Sequence, residues 1–291
     1  MKFVSYLDAV AEGEKRLEEA GIADAKIDAR YLFESLPGHD AHFLLMYGRR
    51  QMDEEKRAAY MELIEKRASH IPLQQILGYT EFMGCRFTVN EHVLCPRQDT
   101  ETLVEYALKL LKPGMRILDM CTGSGCILIS LLNLSGRENV PMDTLVGIAS
   151  DISEDALAVA RENAEYNKVD VRFLQGDLFG SLVELPGEEQ KFDLITSNPP
   201  YIPTAAVWGL MPEVRDHEPK IALDGSPNGL AFYERICAEA PLYLKEGGHL
   251  IVEIGYDQAE DVIGLFETNG FKDVVCYKDL AGNDRVVYGH R

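Results

Sequence analysis

Four residues that follow an apolar run could hold a planar nitrogen group. Asn198-Pro199-Pro200-Tyr201 comes directly after Phe192–Ser197, a run of strand length, and open α/β sheets present groups to their ligands at the carboxyl ends of such strands. Prolines fix the backbone and lack an N–H donor, so the carbonyl groups of Asn198 and Pro199 should project as acceptors beside the Asn198 side-chain oxygen. The pattern therefore predicts a cluster of acceptors that binds an NH2 group.

The chemistry expected of this cluster is transfer of a group to the bound nitrogen. The ring of Tyr201 would face the positive charge that develops there, which is a cation–π stabilisation. No His, Lys or Cys close to the motif resembles an activating base, so alignment of the two reactants must supply most of the rate acceleration. A proline-rich turn without a ligand is the alternative, and the Asn, the Tyr and the strand-end position argue against it.

An earlier strand-to-helix turn predicts a site for adenosylmethionine. Glycines between the run 117–119 and the helix Cys126–Leu134 let a ligand pass close to the backbone. The turn lacks the third glycine of the dinucleotide fingerprint, and Asp119 would repel a pyrophosphate but attract an ammonium group such as that of adenosylmethionine. A tight turn without a ligand would contain the same glycines. The predicted contacts are Asp119, Cys121, Thr122, Gly123, Ser124 and Gly125.

Two further acids follow the next two apolar runs. Asp151 ends one of them, at the position where doubly wound folds place a carboxylate that accepts ribose hydroxyls. Capping of the following helix is the alternative role, but Ser153 is the better N-cap. Asp177 follows the run 171–175 and is predicted to contact the adenine edge, although an aspartate in a turn is an almost equally good explanation.

Strand and helix patterns alternate around these turns, which predicts a doubly wound, parallel α/β sheet. Helical patterns such as 154–166 and 230–244 separate short apolar runs of strand length. These runs are 115–120, 144–150, 171–175, 192–197 and 249–254. The last pair, 271–277 and 285–288, is joined only by a glycine-containing loop and is predicted to form an antiparallel hairpin at the sheet edge.

Three regions differ in their residue patterns. Residues 1–78 show helical periodicity, which predicts a small helical domain. Residues 79–96 are aromatic and β-branched around a glycine, which predicts a β-hairpin linker. Residues 97–291 carry the alternating pattern and both candidate ligand sites.

The bulk composition argues against several classes of protein. A net charge of -19 would repel a phosphate backbone, so direct nucleic-acid binding is not expected. No apolar run approaches the length of a membrane span, and acids at 8, 12 and 14 interrupt any secretory signal, so we expect a cytoplasmic protein. The six cysteines and seven histidines show no zinc-ligand spacing, so no metal is expected.

Seven stretches form a recognisable ensemble over nearly the whole chain. They are 72–78, 94–101, 122–125, 197–202, 218–223, 253–255 and 278–285. Together they resemble the HemK/PrmC family of peptide chain release factor N5-glutamine methyltransferases. The resemblance implies a Rossmann-like, seven-stranded class I methyltransferase domain, preceded by the helical domain and the hairpin. It also implies S-adenosyl-L-methionine as cofactor and class I release factors as partners, which the helical domain would recognise.

The resemblance also assigns roles to residues. The substrate would be the glutamine of the factor's Gly-Gly-Gln loop, held by Asn198 and the Pro199 carbonyl, with Pro200 and Tyr201 completing the catalytic motif. Asp151 would bind the ribose, and the turn 121–125 would bind the methionine end. Leu178, where some members place a tryptophan against the adenine, and Asn198 would be further cofactor contacts.

The sequence departs from the family pattern in two places. Cys121 stands where the family usually has glycine, and Gln98-Asp99 replaces the usual Pro-Glu.

Three alternatives to the implied function remain: methylation of another protein glutamine, for instance in a ribosomal protein, methylation of adenine N6, or a noncatalytic binding role. The acidic charge argues against adenine in nucleic acid. We expect a monomer.

Overall fold

Residues 4–291 are described by a computed structural model, and their contacts divide the chain into two units. The first unit comprises the chain up to Gly78 together with Met211–His217. The second comprises Tyr79–Leu210 together with Glu218–Arg291. The sequence predicts residues 211–217 to be part of the 97–291 domain, whereas their contacts place them in the first unit.

The first unit is built from helices. They are α1 (Tyr6–Glu19), α2 (Ala25–Glu34), α3 (Phe43–Tyr47), α4 (Glu54–Ala68) and α5 (Leu73–Leu77). A capping box begins α1, because the Ser5 hydroxyl accepts from the Asp8 N–H and the Asp8 carboxylate accepts from the Ser5 N–H. Leu17, Phe33 and Ile64 from three of these helices are fully buried, so the apolar faces of α1, α2 and α4 form the core.

A buried arginine explains why residues 211–217 belong to the first unit. Arg67 on α4 donates to the Asp28 carboxylate at 2.6 Å and to the Glu213 carboxylate at 2.5 Å. The side chains of Arg67 and Asp28 are almost completely buried. A buried guanidinium is tolerated only when its donors are paired, so Glu213 contributes an acceptor that local sequence could not identify.

The second unit contains a two-stranded hairpin and a seven-stranded sheet. The hairpin strands β1 (Tyr79–Phe82) and β2 (Cys85–Thr88) pair antiparallel. The sheet strands are β3 (Arg116–Met120), β4 (Val146–Asp151), β5 (Val171–Gln175), β6 (Phe192–Ser197), β7 (Leu244–Glu253), β8 (Lys272–Lys278) and β9 (Asp284–His290). Their order is β5-β4-β3-β6-β7-β9-β8, with β3 to β7 parallel and the last two antiparallel. The predicted fold class is confirmed.

Helices cover both faces of this sheet. In chain order the helices of the second unit are α6 (Gln98–Leu108), α7 (Cys126–Leu134), α8 (Glu154–Asn167), α9 (Thr204–Val207), α11 (Ala231–Tyr243) and α12 (Ala259–Thr268). The remaining helix, α10 (Pro212–His217), belongs to the first unit. Successive strand residues point to opposite faces, so Ile117 enters one apolar cluster with α6 and α7 while Leu118 enters another with α11 and α12. None of the helices within residues 4–291 is long and apolar enough to cross a bilayer.

The parallel strands bring the predicted ligand sites to one edge of the sheet. Met120 pairs in register with Ser150 on β4 and with Ser197 on β6, and Ser197 pairs with Val252 on β7. The turns that follow these strands are therefore neighbours, although they are far apart in sequence. This is the edge at which an open α/β sheet binds its ligands.

Candidate active site

A cavity of about 280 Å³ opens at the carboxyl edge of the sheet. Its walls come from the turn after β3, the ends of β4 and β5, the residues after β6 and the segment 92–97 that precedes α6. Of the predicted site residues, its walls include Cys121, Thr122, Gly123, Ser124, Asp151, Asp177, Leu178, Asn198 and Pro200. The predicted residues outside its walls are Asp119, Gly125, Pro199 and Tyr201. Residues from both candidate sites therefore line the same cavity.

Positive φ angles shape the turn after β3. Cys121, Gly123 and Gly125 have φ values of 55°, 53° and 80°, a region that disfavours side chains. A Cβ at Gly123 would meet only open space, whereas a Cβ at Gly125 would lie 2.8 Å from the Ile129 side chain. Gly125 therefore permits close helix packing, and Gly123 exposes its backbone at the cavity. Cys121 adopts a backbone conformation that glycine accepts more readily.

Asp119 is fully buried beneath this turn. One of its carboxylate oxygens accepts from the Thr122 hydroxyl at 2.6 Å and the other from the Thr196 hydroxyl at 2.7 Å. Thr196 is its register partner on β6. Burial raises the pKa of Asp119 to about 7, and the two hydroxyls oppose that rise. Asp119 thus organises the turn from below, and the cavity wall does not include it.

Asp151 at the end of β4 faces the cavity with an oriented carboxylate. Its oxygens accept from the Gly123 N–H at 2.9 Å and from the Ser153 N–H at 3.0 Å. Burial raises its pKa, and these main-chain donors oppose the rise. Ser153 caps α8 by accepting from the Ala156 N–H at 3.2 Å, so Asp151 is not the helix cap. Each carboxylate oxygen retains acceptor capacity for a ligand hydroxyl.

Asp177 and Leu178 form the wall after β5. The Asp177 carboxylate pairs with the guanidinium of Arg235 on α11 at 2.8 Å, and both residues line the cavity. Leu178 is buried with a φ of 48°, so its side chain contributes apolar surface from a strained backbone. The ion pair was not foreseen, and it occupies one oxygen of the acid expected at the adenine edge.

The main-chain oxygens of Asn198 and Pro199 accept no hydrogen bond from any other group within residues 4–291. The backbone just beyond them is anchored, because the Ile202 N–H donates to the Leu223 carbonyl at 3.0 Å and the Tyr201 carbonyl accepts from Gln258 at 3.1 Å. The motif is therefore held in place while its first two carbonyl groups stay available.

The two side chains at the ends of the motif behave differently. Asn198 lines the cavity and donates through Nδ2 to the Thr100 hydroxyl at 3.4 Å. The Tyr201 hydroxyl lies 3.4 Å from Oε1 of Glu253, and burial raises the pKa of that phenol. The ring packs against the apolar cluster that contains β7, and the cavity wall does not include it. The structure places Asn198, but not the Tyr201 ring, at the cavity.

Several cavity residues were missed by reasoning from the sequence. Arg97 donates to both oxygens of Glu218 at 2.7 and 2.8 Å, which ties the segment before α6 to the loop before α11. Thr100 and Arg235 also line the cavity. Arg97 and Glu218 lie within stretches that carry the family resemblance, but no local pattern indicates their pairing.

Comparisons with known proteins agree with this architecture. Residues 8–78 match a family model described as the PrmC N-terminal domain, and residues 111–276 match one described as a methyltransferase domain. A methyltransferase structure from Pyrococcus furiosus is 19% identical, with a TM-score of 0.50 over 78% of this chain and 98% of that one, which supports the fold alone.

Curated relatives match nearly the full length. The release factor glutamine methyltransferase of Geobacter sulfurreducens is 42% identical over 273 residues, which cover 94% of this chain and 92% of the relative. The enzyme of the same name from Agrobacterium fabrum is 40% identical over 281 residues, which cover 94% and 93%. With both domain types in the same order and this identity over its length, the chain belongs to the PrmC/HemK family of release factor glutamine methyltransferases.

Proposed function

We propose that this protein transfers a methyl group from S-adenosyl-L-methionine to the N5 side-chain amide of the glutamine in the Gly-Gly-Gln motif of class I peptide chain release factors. The observation that carries this proposal is that the main-chain oxygens of Asn198 and Pro199 accept no hydrogen bond among residues 4–291, while Asn198 lines the same cavity as the glycine turn after β3. The names of the full-length relatives support the choice of substrate.

The cavity fits the proposed cofactor. Open space at Gly123 allows the backbone to approach the methionine end, and the oriented carboxylate of Asp151 suits the ribose hydroxyls. Leu178 offers apolar surface for the adenine. When bound, the cofactor supplies a sulfonium-activated methyl group and a good thioether leaving group.

The acceptors of the motif would orient the substrate amide. Its two N–H hydrogens would be donated to Oδ1 of Asn198 and to the main-chain oxygen of Pro199, which leaves the face of the nitrogen directed at the cavity. An amide nitrogen is a weak nucleophile because its lone pair is delocalised. Alignment at roughly 3 to 3.5 Å must therefore supply most of the acceleration. The acceptors also stabilise the positive charge that develops on the nitrogen, and the proton then departs to water.

The helical unit would recognise the release factor, since residues 8–78 match the family's N-terminal domain. We further propose that the protein acts as a monomer in the cytoplasm, where release factors function. The Leu178 side chain stands in for the tryptophan of some family members at the adenine.

Isotope labelling tests the substrate directly. The protein is incubated with methyl-labelled S-adenosylmethionine and, separately, with a class I release factor, a ribosomal protein mixture or DNA, and modified residues are mapped by mass spectrometry. We expect label on the glutamine of the Gly-Gly-Gln motif. A release factor in which that glutamine is replaced by glutamate is the control and should remain unlabelled. Label confined to ribosomal protein or to adenine would overturn the proposal.

A further inference from the structure

We propose that Trp208, Lys220 and Ile221 form the surface on which a release factor places the protein segment next to its target glutamine. These three residues are called the rim surface below. This inference rests on the proposed function, because it assumes that the substrate glutamine enters the cavity beside Asn198. It adds a docking surface that lies outside the motif 198–201 and outside the turns proposed to bind the cofactor.

The rim surface combines exposed apolar side chains with one cation. Trp208 directly follows α9 and is 70% exposed, and Ile221 is 56% exposed. Lys220 joins the two, because its ammonium group lies 5.3 Å from the centre of the Trp208 ring and Ile221 is the next residue in the chain. A cation at this distance is attracted to the face of an indole ring. All three residues belong to the second unit.

The rim surface is continuous with the cavity. Ile221 lines the cavity together with its neighbours Pro219 and Ala222, and Asn198 lines the same cavity. Ile221 is therefore part of the cavity wall and is also more than half exposed to solvent. Trp208 is outside the wall. A ligand that extends from the cavity over Ile221 would next meet Lys220 and the Trp208 ring.

Hydrogen bonds tie both ends of the loop that carries the rim surface to the catalytic motif. The Ile202 N–H donates to the Leu223 carbonyl at 3.0 Å, and the Gly225 N–H donates to the Ile202 carbonyl at 2.8 Å. A Cβ at Gly225 would lie 2.7 Å from Cα of Tyr201, so the end of the loop packs directly against the motif. A segment docked on the rim surface would therefore be held in a fixed relation to the acceptors of the motif.

The chemistry of the target indicates a protein segment as the occupant. A glutamine side chain is short, so the main chain that carries it must cross the rim of the cavity when its amide lies beside Asn198. The two glycines of the Gly-Gly-Gln motif lack side chains, which lets their peptide groups approach a planar ring. Lys220 can donate hydrogen bonds to main-chain carbonyl groups of the same segment. The net charge of -19 disfavours a nucleic acid at this place.

Truncation of the Trp208 ring tests the inference through KM. We expect Trp208→Ala to raise KM for the release factor by about 10- to 30-fold, because tryptophan is enriched among the interface residues whose truncation weakens binding most. The turnover number at saturating release factor should change by less than about 2-fold, as expected when only ground-state binding is lost. The dissociation constant for S-adenosylmethionine should stay the same, since the ring is outside the cavity wall.

Tyr166→Ala is the matched control. It removes an aromatic ring that is 59% exposed on α8, and it should leave KM for the release factor unchanged. Equal KM values for Trp208→Ala and Tyr166→Ala would overturn the inference.

Two milder variants examine the chemistry of the surface. Trp208→Phe keeps an aromatic face and should recover most of the affinity. Lys220→Met should raise KM by about 2- to 5-fold through loss of the ammonium group. A KM for Trp208→Phe as high as that for Trp208→Ala would contradict docking against an aromatic face.

Fluorine NMR gives a direct readout of docking, because Trp208 is the only tryptophan of the chain. Protein labelled with 5-fluorotryptophan has a single tryptophan resonance, which is followed while an unlabelled class I release factor is added in the presence of S-adenosylhomocysteine. We expect the resonance to shift with the release factor and to stay in place with S-adenosylhomocysteine alone. A shift produced only by duplex DNA would assign the surface to a nucleic acid. A shift that grows with the concentration of the protein itself would assign it to a second copy. Either result would overturn the inference.

These outcomes separate the inference from the proposed function. Label on the release factor glutamine, together with equal KM values for Trp208→Ala and Tyr166→Ala, would leave the function in place and refute the docking surface. If the wild-type protein does not methylate the release factor, the proposed function fails and the fluorine titration decides. An unmoved resonance would then refute the docking surface, whereas a shift would show that the release factor docks there without being methylated.

Discussion

Two carboxyl groups buried at the same edge of the sheet have opposite hydrogen-bonding states. Asp119 at β3 receives a hydroxyl on each oxygen at 2.6 and 2.7 Å. Glu253 at β7 has one contact at 3.4 Å and a second oxygen without a hydrogen-bond partner among residues 4–291. Burial raises the pKa of both groups to about 7. The two carboxyl groups are equally buried, but only Asp119 has a hydrogen-bond donor on each oxygen.

The same contrast separates the two halves of the cavity. On the side proposed to bind the cofactor, Asp151 accepts from two main-chain N–H donors, and Asp119 holds the turn after β3 through the Thr122 hydroxyl. On the acceptor side, the main-chain oxygens of Asn198 and Pro199 lack protein donors within the described chain. The cofactor half is shaped by its own bonds, whereas the acceptor half keeps polar capacity for a ligand.

Asn198→Ala should impair methyl transfer and leave cofactor binding intact. We expect kcat to fall by about 100- to 1,000-fold, because the substrate amide loses its side-chain acceptor in the transition state. The dissociation constant for S-adenosylmethionine, measured by calorimetry, should change by less than about 2-fold. Asn133→Ala, an exposed asparagine on α7, is the control. Normal turnover by Asn198→Ala would remove this residue from the site.

Asp151→Ala should have the opposite effect and weaken cofactor binding more than methyl transfer. We expect the dissociation constant for S-adenosylmethionine to rise by about 10- to 100-fold through loss of a charged hydrogen-bond acceptor. The fall in kcat at saturating cofactor should be smaller than the effect on binding. Asp170→Ala changes an exposed aspartate before β5 and serves as the control. An unchanged dissociation constant would exclude Asp151 from cofactor binding.

Asp119→Asn tests the fully hydrogen-bonded carboxyl group through the pH dependence of stability. The pKa of Asp119 is raised from 3.8 to about 7 in the folded protein, so between these values the native state holds a proton that the unfolded chain releases. Its contribution to stability is therefore present at low pH and is lost as the pH rises through about 7. We expect urea unfolding at pH 5 and pH 8 to show a smaller decline in the variant than in the wild type. An undiminished decline would contradict this assignment.

Cys121→Gly should have the smallest effect. Glycine relieves the cost of a side chain at φ 55°, while its greater freedom in the unfolded chain offsets that gain. We expect the free energy of unfolding to change by less than about 1 kcal/mol. Cofactor affinity should also change little if the backbone, rather than the thiol, makes the contacts of this turn. A large loss of affinity would show that the cofactor half depends on this side chain.

The order of the elements was predictable because it depends on local patterns. Alternating apolar runs and helical periodicity predict the parallel strands and the terminal antiparallel pair, and the seven-stranded sheet confirms them. One boundary was misjudged. The strand predicted at 249–254 begins at Leu244, because β7 continues through Gly247-Gly248, where glycines suggest a turn. Pairing with the neighbouring strands of the sheet outweighed the preference of these glycines for a turn.

The sequence by itself determined which residues end the strands, and therefore that the glycine turn, Asp151 and Asn198 share one edge. Tertiary structure alone decided their partners: hydroxyls for Asp119, Arg235 for Asp177, Glu218 for Arg97, and Thr100 beside Asn198. Tertiary contacts also place residues 211–217 in the first unit. The physical reason is that strand ends follow from short-range periodicity, whereas pairing of buried polar groups depends on which distant segments packing brings within hydrogen-bond distance.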